Sequence, residues 1–198
     1  MTDHPHPDDY PSPQLRVEAL EALLVERELV KTEMLDGFIS RYVNDVGPMN
    51  GAKVVAKAWV DPEFRKRLLE NGVEACKELG FGGPQGEHIV VVENTPEQHN
   101  VVVCTLCSCY PWPLLGLPPD WYKDPAYRAR IVREPRKLLG EMGLDLPEKT
   151  KIRVWDSSAE NRYFILPSRP ENTDGLSEEE LALLVSRDAM VGVAVVKA

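Results

Sequence analysis

The chain has 198 residues, a length that allows one domain, or one domain with an extended arm. Its 32 acidic residues outnumber its 23 basic residues, and the formal charge of −9 argues against a nucleic-acid partner or an anionic membrane surface. The N-terminal segment lacks the pattern of a secretory signal, and the longest apolar run, AMVGVAVV, is too short to span a bilayer. We therefore expect a cytoplasmic protein, in whose reducing environment clustered cysteines are metal ligands or redox groups more often than structural disulfides.

Four helices are predicted in the first 80 residues. Each begins at or just after a residue typical of a helix N-terminus, namely Ser12, Thr32, Asn50 and Asp61. The second helix carries a broad apolar stripe and ends at Gly47-Pro48, whereas the fourth is expected to run from Pro62 to Gly80 as one helix. Residues 1–80 are therefore predicted to form a helical N-terminal arm.

The character of the chain changes at the glycine-rich loop FGGPQGEH, which begins at residue 81. Strand-like runs follow, and they read HIVVVEN, NVVVCTL, KIRVWD and RYFILP. Short helices are expected at 125–133 and 135–142, and Ser177 with Glu180 forms a capping-box signature ahead of the last helix. The sequence thus predicts an α+β fold, in which a mixed helix–strand part over residues 81–198 carries the chemistry.

Three of the four cysteines, Cys104, Cys107 and Cys109, lie within six residues of the segment VVVCTLCSCYPWP; we call residues 104–109 the claw loop. A single cysteine such as Cys76 is most simply a small buried hydrophobe, but side chains this close in sequence cannot all point separately into a core. They can instead close around one metal ion, with zinc as the default. A tetrahedral zinc site or an iron–sulfur cluster would need a fourth ligand. The residues that could supply it lack pair-like spacing: Cys76, His88 and His99.

A second arrangement uses the backbone of the claw loop. If the amide nitrogens of Ser108 and Cys109 lose their protons, the ion has three sulfur and two nitrogen ligands, and one position stays open for catalysis. Only a strongly polarising, trivalent ion would deprotonate an amide, and the site would then carry a formal charge of −2. A buried charge of this size needs cations around it. Because no Lys or Arg lies between Lys77 and Lys123, these cations must come from distant segments or another subunit.

The segment VCTLCSCYPWP, together with GPMNGAKVVAKAWVDPEFR, LGLPPDWYK, RVWDSS, RYFILP and SEEELALLVSRD, resembles the α subunit of nitrile hydratase. The resemblance implies a layered α/β metal-binding domain that hydrates nitriles to amides at non-corrin cobalt(III) or non-haem iron(III), one ion per chain. It implies that Cys104 is the axial thiolate, that Cys107 becomes a sulfinic acid and that Cys109 becomes a sulfenic acid. The amide nitrogens of Ser108 and Cys109 would complete the basal plane, with water or hydroxide as the sixth ligand.

The resemblance also implies a partner and a choice of metal. A β subunit would be wrapped by the N-terminal arm and would supply arginines to the oxidised sulfurs, in an αβ unit that pairs into an α2β2 tetramer. Thr105 follows the first cysteine of the claw loop, where cobalt-type members have threonine and iron-type members have serine. Cobalt(III) is therefore the predicted ion, with iron(III) as the alternative.

Five further residues match positions near the family's active site. Gln85 matches a glutamine close to the substrate, although its simplest interpretation is a polar loop residue. Tyr110 and Trp112 match aromatics that line the substrate pocket and would also serve as core residues. Asp156 and Glu160 match acidic residues that support the metal site in cobalt-type members, although exposed charges are common at a strand end.

The implied chemistry is an attack on the nitrile carbon by the sulfenate oxygen of Cys109, or by a water molecule that this oxygen activates. Two alternatives stay open. The metal-bearing subunit of thiocyanate hydrolase uses the same VCTLCSC segment with cobalt, so only pocket residues and partner chains can separate the two activities. A non-catalytic metal-binding or redox module would instead hold a tetrahedral divalent ion without an exchangeable water.

Overall fold

The structure, a computed structural model, describes residues 12–198, so the first 11 residues of the predicted arm lie outside the described part. Along the described chain, five α-helices precede two strands, four α-helices precede the next two strands, and two α-helices follow. A π-helical turn, Tyr42–Val46, lies between the second and third α-helices. The helices are α1 (Pro13–Glu26), α2 (Thr32–Arg41), α3 (Met49–Val60), α4 (Pro62–Glu70), α5 (Gly72–Glu78), α6 (Trp112–Leu115), α7 (Asp120–Lys123), α8 (Pro125–Arg133), α9 (Pro135–Glu141), α10 (Glu178–Leu184) and α11 (Arg187–Val191). The strands are β1 (Ile89–Glu93), β2 (Gln98–Val103), β3 (Lys151–Asp156) and β4 (Arg162–Leu166). The predicted α+β fold is confirmed.

Side-chain caps define several helix starts where the sequence indicated them. The carboxylate of Asp61 accepts a hydrogen bond from the backbone N–H of Phe64 at 2.9 Å, and so caps α4. At α10, the Ser177 hydroxyl accepts from the N–H of Glu180 while the Glu180 carboxylate accepts from the N–H of Ser177, which completes the predicted capping box.

The predicted fourth helix is wrong as a single element, because the structure divides it into α4 and α5. Asn71, between the two helices, leaves the helical conformation with φ −149° and ψ 89°. Its side chain accepts a hydrogen bond from the N–H of Glu74 and therefore starts a new helix. The sequence Asn71-Gly72 has this capping chemistry, but the prediction took Gly80 as the only stop signal after Pro62.

The four strands form two parallel pairs. In one pair β1 lies beside β4, with Ile89 opposite Arg162; in the other β2 lies beside β3, with Val103 opposite Asp156. Parallel strands end at the same edge, so the carboxyl ends of β2 and β3 lie together. The loop that leaves β2 at Cys104 therefore starts beside the end of β3.

The core lies between these strands and the helices that pack on them. Val101, Val102 and Val103 of β2 are at most 2% exposed, so the strand that leads into the claw loop is firmly held. Other large side chains that are fully buried come from helices and strands alike: Phe64, Leu68, Leu114, Leu115, Ile131, Leu139, Phe164, Ile165, Leu166 and Leu181. Burying one such apolar side chain contributes roughly 1.5–3 kcal/mol.

The chain divides into two compact units, one up to Arg41 and one over Tyr42–Ala198. Helices α3 to α5, which the sequence analysis placed in the arm, therefore belong to the same compact unit as the claw loop, and α4 and α5 contact β1. In the first unit, α2 has no buried residue. The large apolar side chains that α1, α2 and their connection leave exposed are Leu15, Val17, Leu20, Leu23, Val25, Leu29, Met34, Phe38 and Ile39. In residues 12–198, no helix combines the length and the apolar character needed to cross a membrane.

Candidate metal centre

Three sulfur atoms converge in the claw loop at the end of β2. The Sγ of Cys107 lies 3.4 Å from that of Cys104 and 3.2 Å from that of Cys109, and all three sulfurs lie within 4.8 Å of one another. Cys104 is fully buried, Cys109 is partly buried and Cys107 is exposed. The cluster thus has a buried side, anchored by the strand, and a side that is open to an approaching molecule.

The backbone of the loop is turned toward these sulfurs. The N–H of Cys107 donates to the Sγ of Cys104 at 3.3 Å. The backbone amides of Ser108 and Cys109 are close enough to the Cys107 sulfur to help lower the pKa of its thiol. Hydrogen bonds from the Cys109 and Cys104 thiols lower the pKa of the Cys107 thiol to about 7. Burial instead raises the pKa of the Cys109 thiol to about 12. Of these two thiols, Cys107 therefore ionises at the lower pH, and the amides of Ser108 and Cys109 lie beside it.

This donor set fits a metal ion held by the claw loop. Thiolates and amide nitrogens are brought together within one short segment, as the five-ligand arrangement requires. Among the described residues, no histidine, fourth cysteine or carboxylate joins the sulfur cluster. Cys76 is fully buried in α5 and the ring of His99 is hydrogen-bonded to the carbonyl of Gly192 at 2.7 Å. A tetrahedral zinc site completed by Cys76 or His99 does not fit this geometry.

Asp156 holds the first turn of the claw loop. One carboxylate oxygen accepts from the backbone N–H of Thr105 at 2.9 Å, and the other accepts from the Thr105 hydroxyl at 2.6 Å. This contact exists because the parallel pairing places the end of β3 beside the end of β2. Glu160 lies farther along the next turn, where its carboxylate accepts from the hydroxyl of Ser158 at 3.2 Å; no hydrogen bond joins it to the claw loop within the described residues.

Gln85 is held by a buried arginine. Its side-chain oxygen accepts from Nε and Nη2 of Arg162 at 2.9 and 2.6 Å, and Nη1 of Arg162 donates to the carbonyl of Ala159. Gln85 itself has a φ of 67°, which is uncommon for a residue with a side chain. The two arginine bonds use the amide oxygen and leave the amide NH2 group for another partner.

The aromatic residues after the claw loop are packed into the protein. Tyr110 is 1% exposed, its ring meets that of Tyr122 edge-on at 5.0 Å, and its hydroxyl has no hydrogen-bond partner among the described residues. Trp112 is partly buried and meets the ring of Tyr42 edge-on at 5.5 Å. Both residues therefore pack against other aromatics, as the core interpretation requires.

Tyr122 also contacts the claw loop, which the sequence did not predict. It is fully buried, and its hydroxyl donates to the backbone carbonyl of Cys109 at 3.0 Å. The same cluster includes Tyr127, whose hydroxyl donates to the carbonyl of Val102 at 2.7 Å. The only signal in the sequence was the position of Tyr122 in the segment LGLPPDWYK, which gives no hint of a contact with the claw loop.

Comparison with known proteins identifies the family. Residues 12–194 match the family model described as nitrile hydratase, alpha chain. The chain belongs to this family. It is 61% identical over 184 residues to the cobalt-containing nitrile hydratase subunit alpha of Pseudonocardia thermophila, which covers 92% of this chain and 90% of that subunit. The predicted family is thereby confirmed, and the chain is an enzyme subunit of the nitrile hydratase type.

Two further similarities bear on the alternatives. The chain is 46% identical over 191 residues to the thiocyanate hydrolase subunit gamma of Thiobacillus thioparus, over 90% of this chain and 78% of that subunit. A solved double mutant of the Fe-type nitrile hydratase from Comamonas testosteroni Ni1 superposes with a TM-score of 0.86 and 49% identity, over 93% of this chain and 90% of that chain. Cobalt-containing, iron-type and thiocyanate-hydrolysing proteins are thus all relatives of this chain.

Proposed function

We propose that this protein is the metal-bearing α subunit of a nitrile hydratase that adds water to a nitrile and releases the amide. The observation that carries the proposal is the convergence of three sulfurs within 4.8 Å in a chain of this family. Cobalt(III) is the proposed ion, one per chain, because Thr105 follows Cys104 and a relative with 61% identity is named as cobalt-containing. Iron(III) is the alternative, since a similar solved structure is an Fe-type enzyme.

The residues of the claw loop divide the work. Cys104, buried at the end of β2, would hold the ion through its sulfur. Cys107, in the sulfinic form, Cys109, in the sulfenic form, and the amide nitrogens of Ser108 and Cys109 would supply the other ligands. When bound, the trivalent ion supplies Lewis acidity that polarises the nitrile. A water molecule oriented by the sulfenic oxygen of Cys109 would add to the nitrile carbon, as one C–N π bond breaks and the nitrogen takes up the proton that the water loses; if the sulfenic oxygen itself adds, water restores it when the product leaves. The resulting imidate tautomerises to the amide.

The surrounding residues position these groups. Asp156 fixes Thr105 through two hydrogen bonds, so that the first ligand and the turn that follows it keep one conformation. Gln85, with its oxygen held by Arg162, presents its NH2 group for substrate or water. Tyr110 and Trp112 form the aromatic wall that follows the claw loop. Glu160 supports the turn after β3 indirectly, because its carboxylate accepts a hydrogen bond from Ser158.

A β subunit is proposed as the obligate partner. The first compact unit leaves the apolar side chains of α1 and α2 exposed, which is the composition of a surface that another protein covers. A claw loop with a formal charge of −2 also needs cations, and arginine can bond two sulfur-bound oxygens at once. We propose a cytoplasmic αβ unit, paired into α2β2. Expressed without the β chain, the subunit should be inactive, and co-expression should restore activity; an equally active monomer would contradict the partnership.

Thiocyanate hydrolysis is the second candidate, because the chain is 46% identical to a thiocyanate hydrolase subunit. The co-expressed complex should therefore be assayed with acrylonitrile and with thiocyanate side by side. Elemental analysis and the peptide mass of residues 100–115 should accompany the assay. We expect acrylonitrile turnover, one cobalt per chain, two added oxygens on Cys107 and one on Cys109. Thiocyanate turnover without nitrile turnover would favour the second candidate, and fully reduced cysteines in an active sample would overturn the oxidised claw loop.

A further inference from the structure

Two arginines of α8 differ from the other arginines around them. Arg130, on the same helix, is bonded to Glu134 and Glu141 within the chain. The side chains of Arg128 and Arg133 have no ion pair and no hydrogen bond to any described residue. In a chain with a formal charge of −9, two unpaired guanidinium groups on one helix form a local positive site.

These two arginines line a groove beside the claw loop. The groove has a volume of about 380 Å³ and is lined by Thr105, Pro125, Arg128, Ala129, Val132 and Arg133. Thr105 directly follows the buried ligand Cys104, so the groove opens on the flank of the claw loop. Its surroundings are apolar, because Val132 is 52% exposed and Leu106, the neighbour of Thr105, is 87% exposed.

The side chain of Arg128 indicates which chemical group this groove binds. Its Nε atom is buried without an acceptor, although a buried donor in a folded protein is normally hydrogen-bonded. A carboxylate is the group that best satisfies it, because two carboxylate oxygens match the parallel N–H bonds of Nε and one Nη. Arg133, at the other side of the groove, adds a second positive charge.

We propose that this groove binds an aspartate or glutamate side chain of the protein that covers the claw loop. The proposal rests on the proposed function, which requires such a partner. A small free anion would satisfy Arg128 but would leave Leu106 and Val132 in water. A protein surface with an acidic side chain set among apolar residues covers all three. Buried arginines framed by apolar contacts are typical of the centre of protein–protein interfaces. The contact would clamp the turn at Thr105 and thereby couple partner binding to the shape of the claw loop.

The test uses the co-expressed complex. Arg128→Gln and Arg133→Gln remove each charge, and Arg128→Lys keeps the charge but loses the fork. Arg67→Gln is the matched control, because Arg67 is already paired with Glu78 on another face of the chain. The dissociation constant of the subunits is measured by mass photometry on dilution. We expect Arg128→Gln to raise this constant about tenfold or more, Arg128→Lys to raise it less, and Arg67→Gln to leave it within about twofold.

An unchanged dissociation constant in both Arg128→Gln and Arg133→Gln would overturn the proposal. So would an Arg128-dependent thermal stabilisation of the assembled complex by acetate or phosphate, since the groove would then be open to a free anion. Activity on acrylonitrile, read in parallel on the unsubstituted complex, tests the proposed function separately. If the complex is active but its dissociation constant does not respond to the arginine substitutions, only the proposed contact in the groove is contradicted. If the complex does not hydrate acrylonitrile but its assembly depends on Arg128, only the proposed activity is contradicted.

Discussion

Cysteine occupies two opposite environments in this chain. Cys76 lies in α5, is fully buried and packs in the apolar core, where burial raises the pKa of its thiol to about 12. Cys104, Cys107 and Cys109 lie at the end of β2 with their sulfurs 3.2–3.4 Å apart along the loop, and one of them is exposed. Ligand character here comes from the loop geometry and not from the residue type, because an isolated buried thiol is a neutral hydrophobe.

The difference follows from where each segment sits in the fold. A helix separates the side chains of neighbouring residues around its axis, and Cys76 belongs to no group of three or more possible metal ligands among the described residues. The chain leaves β2 without regular structure after Val103, and it can turn its side chains and amides toward one point. The buried valines of β2 hold the start of this loop, and Asp156 holds its first turn.

Removing one sulfur from the claw loop should have the largest effect. Cys107→Ala takes away the sulfur that contacts both of its neighbours, so metal content and nitrile hydration should fall to background. Cys104→Ala and Cys109→Ala should do the same. Elemental analysis of the purified complex and an acrylonitrile assay measure the two effects. Full metal occupancy in Cys107→Ala would contradict the proposed ligand set.

Removing the support of the loop should have the next largest effect. Asp156→Ala leaves the N–H and the hydroxyl of Thr105 without their acceptor, and we expect metal affinity or activity to fall about 10–100-fold, as for other residues that orient metal ligands. Thr105→Ala loses only the hydroxyl bond and should cost less. Both variants are measured by competition with a chelator and by turnover. If Asp156→Ala kept full affinity and rate, Asp156 would be only an exposed charge at a strand end.

The Asp156 contact also marks the limit of prediction from the sequence. Helix starts at Asp61 and Ser177 were predictable because a cap and its helix are neighbours in the chain. The claw loop was predictable because its three sulfurs are close in sequence. The bond between Thr105 and Asp156 spans 51 positions and depends on parallel pairing of β2 with β3, which alternating apolar residues do not specify.

The same reason explains the other contacts that the sequence did not reveal. Gln85 was predicted as a site residue, but its hold by Arg162 spans 77 positions and depends on the pairing of β1 with β4. Tyr122 lies within a segment that resembles the family, and its bond to Cys109 depends on how α7 packs behind the loop. Local chemistry was therefore predictable, while support across the fold required the structure.

A matched pair of substitutions sharpens the comparison between the loop and the core. Tyr122→Phe leaves the Cys109 carbonyl without its donor, and Tyr127→Phe does the same to Val102 inside β2. Each loss should lower the free energy of unfolding by about 1–3 kcal/mol, measured by urea titration of the complex. Only Tyr122→Phe should also lower metal occupancy or slow turnover, because only its bond reaches the claw loop. Equal metal content and rates in the two variants would make Tyr122 a purely structural residue.

The smallest effect on the metal should come from the fourth cysteine. Cys76→Ala removes one buried sulfur from the core, and we expect a loss of about 1 kcal/mol in the free energy of unfolding, as for many small core deletions. Metal content and turnover should stay at the level of the unsubstituted complex, because no other metal-binding side chain among the described residues groups with Cys76. Urea titration and elemental analysis on the same preparation separate the two outcomes. A large loss of metal would instead mean that Cys76 reaches the claw loop in the assembled protein, and it would restore the four-cysteine zinc site as the better interpretation.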